Sequence, residues 1–94
     1  MKTYTVEVLA NGTRSWYLKG VLHREDGPAV EYPSGTRKWY LNGLLHREDG
    51  PAIEYANGYL GWALNDEKLT EEEFLSRTAK TIVIDGITYK LVKA

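Results

Sequence analysis

The sequence predicts a mostly β protein, an antiparallel meander of 23-residue hairpin repeats with one short helix and a C-terminal hairpin. Residues 11–33 and 34–56 align without gaps and are identical at 17 of 23 positions. Turn dipeptides such as Asn42-Gly43 separate short runs of aromatic and aliphatic residues, which is typical of β-hairpins. An acidic stretch of different character begins near residue 70. We therefore expect small β units that stack in chain order.

The composition limits the class of protein. The chain has 94 residues, which fits a single domain spanning 1–94. Twelve basic against thirteen acidic residues disfavour a duplex nucleic-acid binder, and zero cysteines exclude a disulfide framework and a thiolate metal site. The N-terminal residues form no apolar signal segment, and no apolar run has bilayer length. We expect no membrane partner and a cytoplasmic location, in the host cytosol if the protein is viral.

Six segments follow one another in the predicted organisation. They are a leading strand (1–10), a first repeat (11–33), a second repeat (34–56), a partial third repeat (57–69), a short capping helix (70–79) and a C-terminal hairpin (80–94). The strand Tyr4–Leu9 takes the place of the last strand of a missing preceding copy.

Each repeat is expected to contribute about three short strands. In the second copy, Arg37–Leu41 is a strand, Asn42-Gly43 a type I′ turn, Leu44–His46 a return strand and Ala52–Tyr55 the next strand. Lys19-Gly20 takes the turn position in the first copy. Alternation of side chains predicts an inner stripe of large residues: Trp16, Leu18, Val30, Tyr32, Trp39, Leu41, Ile53, Tyr55, Trp62 and Leu64.

A helix and a second hairpin are predicted after the repeats. Thr70 and Glu73 have the spacing of a capping box, which predicts a helix over 71–77 with Phe74 and Leu75 turned to the core. We expect this helix to cover the open end of the meander. The runs 81–84 and 87–92 flank Asp85-Gly86 and predict a hairpin, which pairs either with the leading strand or with a partner's edge.

The hexapeptide His-Arg-Glu-Asp-Gly-Pro occurs at 23–28 and again at 46–51. Arginine offers a planar fork of donors for phosphate or carboxylate, histidine adds a donor, and aromatic rings can stack on a base. The candidate ligand-binding residues are His23, Arg24, His46, Arg47, Tyr17, Tyr40, Trp16 and Trp39. The alternative is structural: Arg24 pairs with Asp26 or a strand carbonyl, His23 bonds a turn amide, and Asp-Gly-Pro forms the corner. Both interpretations stay open from the sequence.

No pattern of catalytic, metal-ligating or cofactor-binding residues stands out. Each repeat has one histidine without a second imidazole nearby in sequence, and no serine lies beside a positioned base. The acidic residues of the repeats are spaced by the repeat itself, as solvated strand and turn positions would be. We therefore expect no catalytic residues, no metal and no cofactor.

The unit Trp39–Ala52 resembles a family of short β-hairpin repeats common in large bacteriophages and giant viruses. Their unit is Trp-Tyr-x-Asn-Gly-x-x-His-Arg-x-Asp-Gly-Pro-Ala, and the first copy here departs from it mildly, with Lys19 for asparagine. The resemblance covers about 11–65 and extends more distantly to MORN-type repeats. It implies a phage or viral origin and a hairpin array, and it implies no reaction.

Together these observations predict a small non-enzymatic binding protein, phage-encoded, that antagonises host defence by sequestering a phosphate-bearing ligand such as a nucleotide second messenger. Enclosing such a ligand with a small chain favours a homo-oligomer. Two alternatives stay open. One is an inhibitor that binds a host protein through the sheet face or the C-terminal hairpin, and the other is a structural virion module.

Overall fold

The computed structural model describes residues 2–91; Met1 and the predicted end of the C-terminal hairpin at 92–94 lie outside the described residues. The fold is mostly β, as predicted. The strands are β1 (Tyr4–Val8), β2 (Arg14–Leu18), β3 (Val21–Leu22), β4 (Val30–Glu31), β5 (Arg37–Lys38), β6 (Tyr40–Leu41), β7 (Leu44–Leu45), β8 (Ile53–Glu54), β9 (Leu60–Leu64), β10 (Glu67–Leu69), β11 (Lys80–Ile84) and β12 (Ile87–Leu91). One helix, α1 (Glu71–Thr78), follows β10.

The main sheet is an antiparallel meander. Its strand order is β1-β2-β4-β5-β8-β9-β10, with β3 attached to β2. The register repeats along the sheet: Arg14 lies opposite Glu31 and Arg37 opposite Glu54, and both pairs form ion pairs, at 2.9 Å and 3.6 Å. Opposite charges facing across neighbouring strands stabilise this alignment. The leading strand takes its predicted place, pairing with β2 over all five residues.

Short hairpins branch from the meander at each repeat. The predicted strand over 37–41 is interrupted at Trp39, whose N–H donates to the Ala52 carbonyl while its own carbonyl accepts from the His46 N–H. At this residue the chain therefore passes from the main sheet into the separate hairpin β6–β7.

The turns of these hairpins have the expected left-handed backbone. The central residues Asn42 and Gly43 have φ of 52° and 79°, as a type I′ turn requires. In the third turn Asp66 replaces glycine at φ 69°, and its carboxylate accepts the Leu45 N–H at 2.6 Å. That bond compensates for placing a side chain in a conformation that favours glycine.

The core is narrow and consists mainly of small side chains. Ala29, Ala52 and Ala63 are fully buried, and Val30 and Ile53 are buried with them. The prediction that Tyr32 and Tyr55 belong to the inner stripe was wrong, because both are exposed. Each of these tyrosines begins a surface turn, with its N–H and carbonyl bonded to the residues of that turn, so its side chain lies beyond the packed part of the sheet.

Helix α1 begins with the predicted capping box. Thr70 Oγ1 accepts from the Glu73 N–H at 3.1 Å and Glu73 Oε1 accepts from the Thr70 N–H at 3.0 Å. Phe74 is 3% exposed and its ring lies 4.8 Å from that of Trp62, so the helix packs against the last strands of the sheet. The prediction that Leu75 also faces the core was wrong: successive helical side chains are rotated by about 100°, and Leu75 is exposed. Within 2–91, no helix has the length and apolar character needed to cross a bilayer.

The C-terminal hairpin forms a two-stranded sheet of its own. Strands β11 and β12 pair with each other over five residues, and among the described strands they pair with no other. Between the described residues of this hairpin and the leading strand there is no pairing, which was one of the two options open from the sequence. Val83, Ile84, Ile87 and Tyr89 are exposed on this hairpin.

Candidate functional site

The two His-Arg-Glu-Asp-Gly-Pro loops have the same internal hydrogen bonds. In the first, Arg24 Nε donates to Asp26 Oδ1 at 3.1 Å and its Nη1 donates to the Pro28 carbonyl at 3.1 Å. Arg47 repeats these bonds in the second, to Asp49 at 2.9 Å and to the Pro51 carbonyl at 3.1 Å. The arginine therefore makes both kinds of bond that the structural interpretation offered, one to the aspartate of its loop and one to a backbone carbonyl.

Each guanidinium also covers a tryptophan. The guanidinium carbon of Arg24 lies 4.0 Å from the ring centre of Trp16, and that of Arg47 lies 3.9 Å from the ring centre of Trp39. This distance is typical of a cation–π contact. Glycine in the loop allows this close packing, because a Cβ at Gly50 would lie 3.0 Å from the Arg47 guanidinium carbon.

The third tryptophan is covered differently. The third repeat has Thr70 at the position of the arginine, and Phe74 from α1 packs on Trp62 instead. All three repeat tryptophans are thus covered on one face, twice by a loop arginine and once by the helix. The last repeat tryptophan is therefore covered by an apolar ring, whereas the first two are covered by a charged guanidinium.

A histidine side chain joins each repeat to the next. The Asn42 N–H donates to His23 Nδ1 at 2.8 Å, and the Asn65 N–H donates to His46 Nδ1 at 3.0 Å. The second structural alternative, a histidine bonded to a turn amide, therefore also occurs, although the turn belongs to the following repeat. Backbone bonds lie on either side, from Arg24 N to the Tyr40 carbonyl and from Gly43 N to the Leu22 carbonyl.

The loops of the two repeats face each other across a groove. Its volume is about 630 Å³, within the usual range for small-molecule sites. Its lining comes from both hexapeptides and from the strand between them: Arg24, Glu25, Asp26, Gly27, Trp39, Leu41, His46, Arg47, Glu48 and Asp49. We call this feature the loop groove.

The loop groove has a mixed and predominantly acidic lining. Four carboxylates stand against two guanidiniums, and each guanidinium already pairs with the aspartate of its own loop. A hydrogen bond from the Lys2 ammonium holds the pKa of the Glu25 carboxyl below its usual range. Partial burial, together with the bond it donates to Glu25, raises the pKa of the Tyr4 phenol.

The predicted site residues separate into two groups. Arg24, His46, Arg47 and Trp39 line the loop groove. Trp16 lies under the Arg24 guanidinium and His23 is buried at the repeat junction. Tyr40 packs against the core cluster around Ile53, and Tyr17 is half-buried in β2. The structure brings half of the predicted set together at one groove.

The acidic residues of the groove were not among the predicted ligand-binding residues. Glu25 and Glu48 were assigned to solvated turns, and Asp26 and Asp49 to the turn corner. The signal for their position was present, since identical loops one repeat apart in a stacked array must lie side by side. Within the described part of the chain, no group of three or more potential metal ligands is found.

Comparisons with family models, with curated proteins and with solved structures find no match to this chain.

Proposed function

We propose that the protein is a non-enzymatic binding protein that holds a small phosphate-bearing ligand, such as a nucleotide, in the loop groove. One observation carries this proposal: the same hexapeptide from two successive repeats, held by the same internal bonds, meets across a space of ligand size. A cytoplasmic phage protein of this kind would act on host defence by sequestration, without turnover.

The arginines supply the anion-binding groups of this proposal. The bonds of Arg24 within its loop use Nε and Nη1, and Arg47 uses the same two nitrogens, with Nη1 also donating to Glu54. A guanidinium has five N–H donors, so each arginine keeps donors beyond these bonds that can reach a phosphate oxygen. Because the guanidiniums are already held in place, binding would cost little side-chain entropy.

The acidic lining opposes a phosphate and gives the proposal a sharp test. Glu48 is 79% exposed at the groove and lies beside the position a phosphate would occupy. Neutralising it removes a like-charge repulsion, so Glu48→Gln should tighten binding of a phosphate probe. The same substitution should weaken binding of a cationic probe, which the carboxylates would attract.

The experiment is a calorimetric titration with adenosine monophosphate, cyclic dinucleotides and spermidine, each at two salt concentrations. We expect a nucleotide to bind, and its affinity to rise in Glu48→Gln and to fall at least ten-fold in Arg24→Ala/Arg47→Ala, with the fold of the double variant checked by circular dichroism. Arg37→Ala, an exposed arginine away from the groove, is the matched control. Binding of spermidine alone, weakened by salt, would overturn the phosphate assignment. No binding of either probe class would overturn the groove as a small-ligand site.

A second candidate function is contact with a host protein through the C-terminal hairpin. The supporting observation is that Val83, Ile84, Ile87 and Tyr89 are all exposed on a hairpin that pairs only with itself among the described strands. Such a hairpin can add to the edge of a partner's sheet. In this case Ile87→Lys should abolish capture of the partner from host lysate, while the groove variant Glu48→Gln retains it.

Association of the chain with itself is part of the proposal as well. Sedimentation velocity from 1 to 100 µM, with and without the bound nucleotide, would test it. A single monomeric species at every concentration would contradict the homo-oligomer.

A further inference from the structure

We propose that the two junction histidines make the loop groove acid-sensitive, so that ligand is held near neutral pH and released on acidification. This inference rests on the proposed function, because it concerns the regulation of the same groove. It starts from the hydrogen bonds that position the first loop against the second repeat.

Three bonds tie the first loop to the second hairpin. Arg24 N donates to the Tyr40 carbonyl at 3.1 Å, Asn42 N to His23 Nδ1 at 2.8 Å, and Gly43 N to the Leu22 carbonyl at 2.8 Å. His23 Nδ1 thus accepts a backbone N–H between two backbone carbonyls that each accept one as well. It can occupy this place only without a proton on Nδ1, because a protonated imidazole has no acceptor.

The second junction has the same construction. Asn65 N donates to His46 Nδ1 at 3.0 Å, and Asp66 N donates to the Leu45 carbonyl at 2.9 Å. Side-chain exposure is 7% for His23 and 11% for His46, whereas Asn42 and Asn65 are themselves exposed. A proton on Nδ1 would face the asparagine N–H, and the hydrogen bond between the two groups would be lost.

Charged and titratable groups surround both imidazoles. Around His23 they are Glu25 on its own loop, 3.8 Å from Nε2, Tyr4 of β1, whose ring is stacked at 6.2 Å, and Lys2, which is bonded to Glu25. Within the described residues, His23 Nε2 is buried without a hydrogen-bond partner.

Around His46 these groups are Glu48 on its own loop, 3.6 Å from Nε2, and Asp66 in the following turn. The two glutamates attract a protonated imidazole. Both are more than half exposed, and ion pairs of this kind contribute little. Protonation therefore exchanges a direct hydrogen bond from a backbone N–H for a weak ion pair.

The junctions connect directly to the groove lining. His46 lines the groove itself, and Asn42, the residue bonded to His23, directly follows the lining residue Leu41. Loosening the first junction separates the loop at 24–27 from the strand that forms the floor of the groove. Protonation would therefore change the position of the first loop, with Arg24, relative to the rest of the groove lining.

The experiment measures amide hydrogen exchange by nuclear magnetic resonance at pH 5.5 and 7.5, expressed as protection factors that remove the intrinsic pH effect. Free histidine titrates near pH 6.5, between these two values. We expect the protection of the Asn42 and Asn65 amides to fall about five-fold at the lower pH, the equivalent of one hydrogen bond. Unchanged protection at both amides would overturn the inference.

The matched variant is His23→Asn/His46→Asn. Asparagine Oδ1 stands two bonds from Cβ, as histidine Nδ1 does, and accepts without titrating. We expect pH-independent protection in this variant. If the pair of substitutions prevents folding, the imidazole nitrogen-15 shifts of the unaltered protein give the same answer: Nδ1 should show an unprotonated, hydrogen-bonded nitrogen at pH 7.5. A proton on Nδ1 at that pH would overturn the inference.

Titration with the nucleotide identified above, at both pH values, separates the two proposals. Weaker binding at pH 5.5 together with lower amide protection supports both. If amide protection falls at pH 5.5 but the chain binds no nucleotide at pH 7.5, the junctions are acid-sensitive and the proposal that they regulate ligand binding in the groove is overturned. Equal affinity at both pH values, despite lower protection, overturns the regulation of the groove.

Discussion

Replacing Arg47 with alanine tests whether the loop arginine is chiefly a structural clamp. The side chain is 21% exposed and makes four contacts: with the ring of Trp39, with Asp49, with the Pro51 carbonyl and with Glu54. Alanine removes all of them and leaves the carbonyl and the ring face to solvent. We expect a large loss of stability for a residue so near the surface.

The magnitude follows from the individual contacts. The stack on the tryptophan ring is worth about 1 kcal/mol. The pair with Asp49, which is 77% exposed, adds little. The partly buried bonds from Nη1 to the Pro51 carbonyl and to Glu54 add about 2 kcal/mol after allowance for water. The total is about 3 kcal/mol, or about 12–24 °C in the melting temperature of a domain of this size.

The assay is urea unfolding followed by tryptophan fluorescence. Arg37→Ala is the control, because Arg37 is 53% exposed and contacts the same Glu54 at 3.6 Å. We expect it to cost less than about 1 kcal/mol. Arg47→Lys keeps the charge but loses the planar fork, so it should recover only a small part of the loss. A loss in Arg47→Ala no larger than in Arg37→Ala, or full rescue by lysine, would refute the clamp.

Four further substitutions test the capping helix and its contacts. Phe74→Ala should lower the free energy of unfolding by about 3 kcal/mol because it uncovers the third repeat tryptophan. Leu75→Ala, which removes an exposed side chain, should lower it by well under about 1 kcal/mol. Urea unfolding measures both. Thr70→Ala should cost about 1 kcal/mol through the lost cap, measured in the same way, and an unchanged unfolding midpoint would contradict the cap's contribution. A hydrogen bond from the Arg77 guanidinium holds the pKa of the Glu67 carboxyl below its usual range in the folded protein. The pair therefore stabilises the fold fully at any pH above the carboxyl's pKa in the unfolded chain. This stabilisation is lost as the pH falls through the lower pKa of the folded protein. Unfolding curves of Glu67→Gln and the unaltered protein should therefore differ at pH 7 and converge at acid pH, once the folded-state carboxyl is protonated, and a constant difference would contradict the linkage.

Local sequence determined much of the fold. The turn at Asn42-Gly43 and the capping box from Thr70 to Glu73 were predictable because each depends on a few neighbouring residues. The meander was predictable because the repeat is nearly identical. Burial was harder to predict, since alternation alone placed Tyr32 inside, and only the position of the surface turn shows why it is exposed.

The candidate site depended on contacts between repeats, which single-residue patterns do not show. The sequence left open whether Arg24 binds a ligand or its own loop, and the structure gives it two bonds within the loop. The partner of His23 lies 19 residues away, in a turn chosen by how the repeats stack. The sequence indicates that the two loops are neighbours, but the packing of the whole array sets the space between them, so the groove itself could not be predicted.

The capping of the last tryptophan by Phe74 gives the array a direction. At one end of the series a helix places the Phe74 ring on the tryptophan, while each earlier unit places its own loop arginine there. A unit duplicated in the interior would meet identical neighbours on both sides and leave both ends unchanged. Such arrays gain stability by roughly equal increments per unit. Each added unit would also create one more groove, so the number of grooves would grow with copy number.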